Sequence, residues 1–185
     1  MNSYCDIRVL ENPELSPNHI LNVLFGSIHI VLAQREYQDV GISFPLVNNR
    51  TLGKCLRLHG SETNLQQILS DQFWNGLRDY IDLSNLERTP QNTKFRQVFR
   101  VQVKSNAERL RRRLIIRKGV TQKEAKEKIP DGIAKNLELP YLNVFSRSSG
   151  ENFRLFIKHG PLMEHYKEGS FNSYGLSLGG SIPWF

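Results

Sequence analysis

The stretch from Ser16 to Leu32 constrains this chain more than any other. Ser16 followed by Pro17 is a helix start, a capping hydroxyl with proline at the first helical position. Behind it Ile20, Leu21, Leu24, Ile28, Val31 and Leu32 fall within about 120° of arc at ~100° per residue. A helix with one apolar face must bury that face against a second layer, and the flanking residues supply strands for it. Asp6–Leu10 (DIRVL) alternates polar and apolar residues, and VGISFPL (40–46) and KCLRLHG (54–60) are strand-like runs. Leu65, Ile68, Leu69 and Phe73 suggest a second amphipathic helix, and Tyr80–Leu86 a closing strand. The order βαββαβ predicts an α+β chain with an N-terminal ferredoxin-like (RRM-like) domain, a fold reused for RNA binding.

The polar run ERTPQNTKF (87–95) contains Pro90, and a domain boundary is expected there, giving domains 1–93 and 94–185. In the second part Phe99, Val101 and Val103 alternate with Arg100, Gln102 and Lys104, which predicts a strand. Ser105 with Glu108 forms a capping box for a helix that Gly119 stops, and Thr121 with Glu124 opens a shorter helix closed by Pro130. After Pro140 the pattern is β-rich: YLNVFS, NFRLFIKHG and the glycine-rich tail SYGLSLGGSIPWF. The expected C-terminal domain is therefore β-rich and carries one arginine-rich helix.

Charge is distributed unevenly. Residues 1–93 hold 7 basic and 10 acidic side chains, residues 94–128 hold 13 and 3, and residues 129–185 hold 5 of each. The whole excess of +7 thus comes from one middle segment, a pattern that suits attraction to a polyanion better than general solubility. A hydrophobic fraction of 39% provides for a core and excludes wholesale disorder. No apolar run approaches the ~20 residues of a bilayer span, and MNSYCDIRVL does not read as a secretion signal. Cys5 and Cys55, fifty residues apart, form neither a disulfide framework nor a zinc site, and they fit a reducing cytoplasm.

The basic segment SNAERLRRRLIIRK (105–118) has a particular shape. Ala107, Leu110 and Leu114 share one face of the helix. Arg109, Arg113 and Arg117 recur every fourth residue on another, with Arg112 beside them, in a stripe ~12 Å long. Like charges at that spacing destabilise a free helix by a few tenths of a kcal/mol per pair, so an anion should compensate, and phosphates held by guanidinium forks are suited to it. A basic amphipathic helix can instead lie on a membrane or bind a protein, but this apolar stripe is narrow and lacks Trp and Phe. Immediately upstream, Arg100 and Gln102 share one strand face; arginine pairs with guanine and glutamine with adenine.

At RVQVKSNAERLRRRL (100–114) the chain resembles the type I-F CRISPR repeat-processing endoribonucleases, and the likeness runs along nearly the whole length. VLFGSIH (23–29), GISFP (41–45), FRLFIKHGPL (153–162), SYGLSLGG (173–180) and PWF (183–185) stand in that family's order and at its approximate spacing. The resemblance implies an enzyme that cuts precursor CRISPR RNA at the 3′ base of a repeat hairpin without a metal or other cofactor. The 2′-hydroxyl upstream of the scissile phosphate attacks it and leaves a 2′,3′-cyclic phosphate. It further implies His29 as catalytic base, Ser146 orienting the 2′-hydroxyl, and Tyr174 supporting the histidine. Arg100 and Gln102 would read a guanine and an adenine at the base of the stem, Phe153 would stack on its last base pair, and the arginine helix would lie in the stem's major groove. Implied partners are the repeat RNA and the other Cas subunits of the type I-F surveillance complex, joined by a monomer that keeps its product bound. One departure is Ile115-Ile116, which stand before Arg117 where some relatives carry arginines.

Imidazole titrates near neutral pH, and His29, ~120° from the centre of its helix's apolar face, can reach the surface. Alternatives stay open elsewhere. Ser146, Ser148 and Ser149 lie close enough for a one-residue strand slip to exchange them; Phe153 alternates with Leu155 and Ile157 as a core residue does; Tyr174 could be a packed strand aromatic. His19, His59, His159 and His165 pair with no cysteine or carboxylate at ligand spacing, so no metal site is expected. The competing functions are a non-catalytic RNA-hairpin binding module and a DNA-binding accessory protein.

Overall fold

The computed structural model describes residues 1–102, 107–130, 138–146 and 150–185, and of Arg109 the backbone alone. Val103, Lys104 and Ser105 of the expected strand and capping box, and Ser148 and Ser149, lie outside the described residues. The fold is mixed α and β with antiparallel sheets, as the pattern predicts. Contacts divide the chain into two compact units, residues 1–100 with 139–185, and residues 101–138. Among the described residues no helix is long and apolar enough to cross a membrane.

In the larger unit β1 (Ser3–Val9) leads into α1 (Pro17–Gln34), then β2 (Gly41–Ser43), β3 (Cys55–Gly60), α2 (Glu62–Leu69), a 3₁₀ turn over Gln72–Gly76, and β4 (Ile81–Leu83). The strands lie in the order β2-β3-β1-β4. Ser3 faces Gly60 and Arg8 faces Cys55 across the β1–β3 pair, and Gly41 faces His59 across β2–β3. β1 begins three residues before the expected alternation and ends at Val9, because Ser3–Cys5 pair with His59, Gly60 and Leu58. The chain does start α1 at Pro17: Ser16 Oγ accepts from the His19 N–H at 3.3 Å. Ile20, Leu21, Leu24, Phe25, Ile28, Val31 and Leu32 are all buried, each side chain contributing about 1.5–3 kcal/mol of burial before entropy is counted. Cys5 and Cys55 are buried free thiols, and burial pushes both up to about 11.

One polar pair is sealed under this sheet. Asp6 and Arg57 face each other across β1 and β3, and both oxygens of the carboxylate accept from the guanidinium, the Nη2 contact at 2.9 Å. Arg57 Nη1 donates to the Phe185 carbonyl at 2.9 Å, and the Phe185 ring lies 4.1 Å from the guanidinium carbon. The last residue therefore closes over a buried ion pair.

The polar run 87–95 is not uniformly loop. Glu87–Arg88 (β5) pairs with β1, and Lys94–Arg96 (β6) pairs with β10 (Ile182–Trp184). β7 (Val98–Val101), β9 (Glu151–His159) and β8 (Tyr141–Ser146) form a second sheet in the order β7-β9-β8, with Val144 facing Phe153. β8 lies beside α1, where Asn22 Oδ1 accepts from the Asn143 N–H at 3.0 Å.

In the smaller unit α3 (Ala107–Lys118) is followed by Gly119 at φ +61° and by α4 (Gln122–Lys128). The left-handed φ is why the helix stops at a glycine. Thr121 and Glu124 form the expected reciprocal cap, and α4 ends before Pro130.

Candidate active site

The site is assembled from a turn in the C-terminal tail. Asn172 Oδ1 accepts from the N–H groups of Tyr174 (2.9 Å) and Leu176 (3.1 Å), and the Asn172 carbonyl accepts from Gly175 N–H at 2.8 Å. Gly175 sits at φ +68°, and a Cβ there would come within 2.6 Å of an Ile42 side-chain carbon, so only glycine fits. The Gly175 carbonyl accepts from Ile42 N–H on β2 at 2.8 Å, anchoring the turn to the first sheet. The turn presents two groups to α1, the Ser173 carbonyl and the Tyr174 ring.

His29 meets both. Its Nδ1 lies 2.7 Å from the Ser173 oxygen, and its ring stacks on Tyr174 with centroids 3.9 Å apart and planes 12° apart. Tyr174 in turn stacks on Phe25, which is fully buried in the core. A backbone carbonyl only accepts, so Nδ1 must carry a proton, and in the neutral ring the lone pair lies on Nε2. The imidazole is thus fixed in orientation and tautomer with an acceptor nitrogen available, which is what a general base needs.

His29, Tyr174 and Ser146 line one groove of about 970 Å³ between α1 and β8, together with Asn22, Gly26 and Asn152. Three of the sequence-predicted residues are therefore brought together. Ser146 ends β8 opposite Glu151 and is half-buried. On the sheet beyond, Phe153 is half-buried, packs against the core, and has the Arg100 guanidinium 5.1 Å from its ring. Packing and an exposed edge coexist in Phe153, so the core reading of it holds in part. Gln102, just past β7, is exposed.

On α3, Ala107 is buried and Leu110 and Leu114 are half-buried, the face expected to seat the helix. Arg112, Arg113 and Arg117 are exposed, and so is Ile116 at 74%. The side chain of Arg109 lies outside the described residues. Arg111 differs from its neighbours: it is half-buried and its Nε donates to the Ile129 carbonyl at 2.8 Å, tying α3 to the end of α4.

Two other histidines are structural. His59 is fully buried with Nε2 2.8 Å from Ser43 Oγ; burial, then the Arg57 charge, pushes it down to about 3. His159 lies edge-on to Phe44 and Trp184, and burial, then Arg96, pushes it down to about 4. Both are therefore neutral at pH 7. Among the described residues no three His, Cys, Asp or Glu side chains gather as a metal site would require. Sequence reasoning missed the Ser173 carbonyl and the Asn172 turn, because a backbone oxygen leaves no residue signature; only the glycine at 175 hinted at a constrained turn.

The chain matches the family described as "CRISPR-associated protein (Cas_Csy4)" over residues 4–185. It is 45% identical over 187 residues to a "CRISPR-associated endonuclease Cas6/Csy4" of Pseudomonas aeruginosa (strain UCBPP-PA14), with all of both chains covered. It is 42% identical over 185 residues to the protein of the same description in Escherichia coli (strain UTI89 / UPEC), again covering both fully. A full-length match at this identity settles the family, and the chain belongs to the Cas_Csy4 family of CRISPR-associated proteins.

Proposed function

We propose that this chain is an endoribonuclease that cuts precursor CRISPR RNA at the 3′ base of the repeat hairpin. The observation that carries the reading is the His29 imidazole, held through Nδ1 by a carbonyl and stacked on Tyr174, with Nε2 left to accept a proton beside Ser146. His29 Nε2 takes the proton of the 2′-hydroxyl, which Ser146 orients; the 2′-oxygen bonds to phosphorus; the bond to the 5′-oxygen breaks, and that oxygen takes up a proton. The products are a 2′,3′-cyclic phosphate and a 5′-hydroxyl. The nucleophile belongs to the RNA, so positioning and proton transfer are the protein's whole task and no metal is required.

The RNA stem is held by Arg112, Arg113 and Arg117 with Arg109 of α3, while Arg100 and Gln102 read bases at the foot of the stem and Phe153 stacks beneath it. The strand order β2-β3-β1-β4, with α1 and α2 as crossovers, supports a ferredoxin-like N-terminal domain. The protein remains on its product and enters the type I-F surveillance complex with other Cas subunits.

The test uses a cognate repeat RNA in EDTA. His29→Ala should slow cleavage by about 10²–10⁴-fold, the usual share of a general base, while stem binding stays intact. One 2′-deoxy nucleotide before the cut should abolish cleavage and leave binding nearly unchanged. An RNA still cut without that hydroxyl refutes the nucleophile; tight binding with no cut by the unaltered protein marks a binding module instead.

A further inference from the structure

Gly26 occupies the middle of α1, where glycine is a poor helix former. Its backbone is helical, and a Cβ built on it would meet nothing within 4 Å. Among the described residues neither packing nor dihedral angle asks for glycine. Gly26 is three residues before His29, one turn back along the same groove wall, and so borders the open space next to the base. What needs a bare helix backbone there is something that comes from outside.

The rest of the wall describes that visitor. From His29 the groove runs back along α1 past Gly26 and Val23 to Asn22 and His19, about 15 Å at 1.5 Å per residue. Across from them stand Asn143 and Phe145 of β8 and Asn152 of β9. Phe145 is 57% exposed, a large apolar ring with little of itself packed. Asn22 spends its carbonyl oxygen on the edge of β8 and keeps two amide N–H donors. Among the described lining residues there is no carboxylate to repel a phosphate chain and no lysine or arginine to make the groove a plain phosphate clamp. Amides with a free aromatic ring are the chemistry of unstacked bases in single-stranded RNA.

Topology then fixes which RNA. Phe153 and Arg100 lie on β9 and β7, on the far side of β8 from α1. If the foot of the stem rests there, as the proposed function holds, the strand passes Ser146 and His29 and meets this groove next. We infer that the groove between α1 and β8 receives the RNA strand 3′ of the cut, its first base stacking on Phe145 and its backbone passing against Gly26. The inference rests on the endoribonuclease reading and extends it to a subsite for the leaving strand.

Two hairpin RNAs, both 2′-deoxy before the cut, test it. One ends at the cut and the other continues for several nucleotides. The longer RNA should bind more tightly, and Phe145→Ala should erase that advantage by about tenfold in Kd or more, the size of one lost base–aromatic stack, without changing the Kd of the shorter RNA. An abasic nucleotide just after the cut should reproduce the loss in the unaltered protein and add nothing to it in Phe145→Ala. Gly26→Met should weaken the longer RNA alone, whereas Gly26→Ala should raise Tm by about 2–4 °C, so a misfolded helix cannot account for the effect. Equal binding of the two RNAs by the unaltered protein, or equal losses for both in the variants, overturns the inference and leaves the catalytic reading standing. A protein that neither binds nor cuts any hairpin overturns the catalytic reading itself.

Discussion

Mild acid should destabilise this protein through two histidines that lie outside the candidate site. His59 and His159 are pushed down to about 3 and about 4 by burial, whereas an unfolded histidine titrates near 6.5. Below pH 6.5 the unfolded chain therefore binds protons that the folded chain refuses, so stability is complete above that pH and falls as pH drops toward the folded values. Each such group costs up to about 1.4 kcal/mol per pH unit. At pH 5 fully buried His59 accounts for roughly 2 kcal/mol, and half-buried His159, discounted for its exposure, for about 1 kcal/mol. The sum of about 3 kcal/mol is a large part of an ordinary domain's stability and corresponds to a fall in Tm of about 6–12 °C between pH 7.5 and 5. Thermal melts at half-unit pH steps measure it. The double variant Ser43→Ala/His59→Leu removes both partners of the buried contact together, and its Tm should fall less over the same range. Parallel curves for the two proteins would refute the reasoning. The result also bears on kinetics, because a loss of activity near pH 5 can then be traced to the fold and not to the chemistry of the site.

Other outcomes follow from the arginines. Arg113→Ala or Arg117→Ala should each lower the slope of log K against log salt for hairpin binding by about 0.7–0.9, one phosphate contact each, while Arg111→Ala, whose guanidinium holds the Ile129 carbonyl, should lower Tm instead; an unaltered slope in the first two removes them from the RNA. Arg57→Ala leaves the Asp6 carboxylate buried without its partner and should cost about 3–5 kcal/mol by urea denaturation, and a loss below 1 kcal/mol would mean that water reaches Asp6.

What could be read from the sequence was local and periodic. The start of α1 was legible because Ser16, Pro17 and the apolar stripe all point the same way, and the cap of α4 because both of its partners lie within four residues. Residues 87–95 were opaque for the opposite reason: Glu87–Arg88 and Lys94–Arg96 become strands only by pairing with β1 and β10, some 80 residues distant, and carry no alternation of their own. At the candidate site, the motif VLFGSIH pointed to His29, but its orientation depends on the Ser173 carbonyl, 144 residues away, in a turn held by the Asn172 side chain. Arg111 stood outside the stripe of Arg109, Arg112, Arg113 and Arg117 read from the sequence, and its tie to the Ile129 carbonyl was hidden because a backbone oxygen leaves no residue signature.

The two buried cysteines of the first sheet carry a practical consequence. With Cys5 and Cys55 shielded and held protonated far above neutral pH, maleimide chemistry at pH 7 has nothing in the native protein to attack. A single cysteine introduced at Ile116, which is 74% exposed on α3, would therefore take a fluorophore alone, giving a reporter on the basic helix without first stripping the chain of its own thiols.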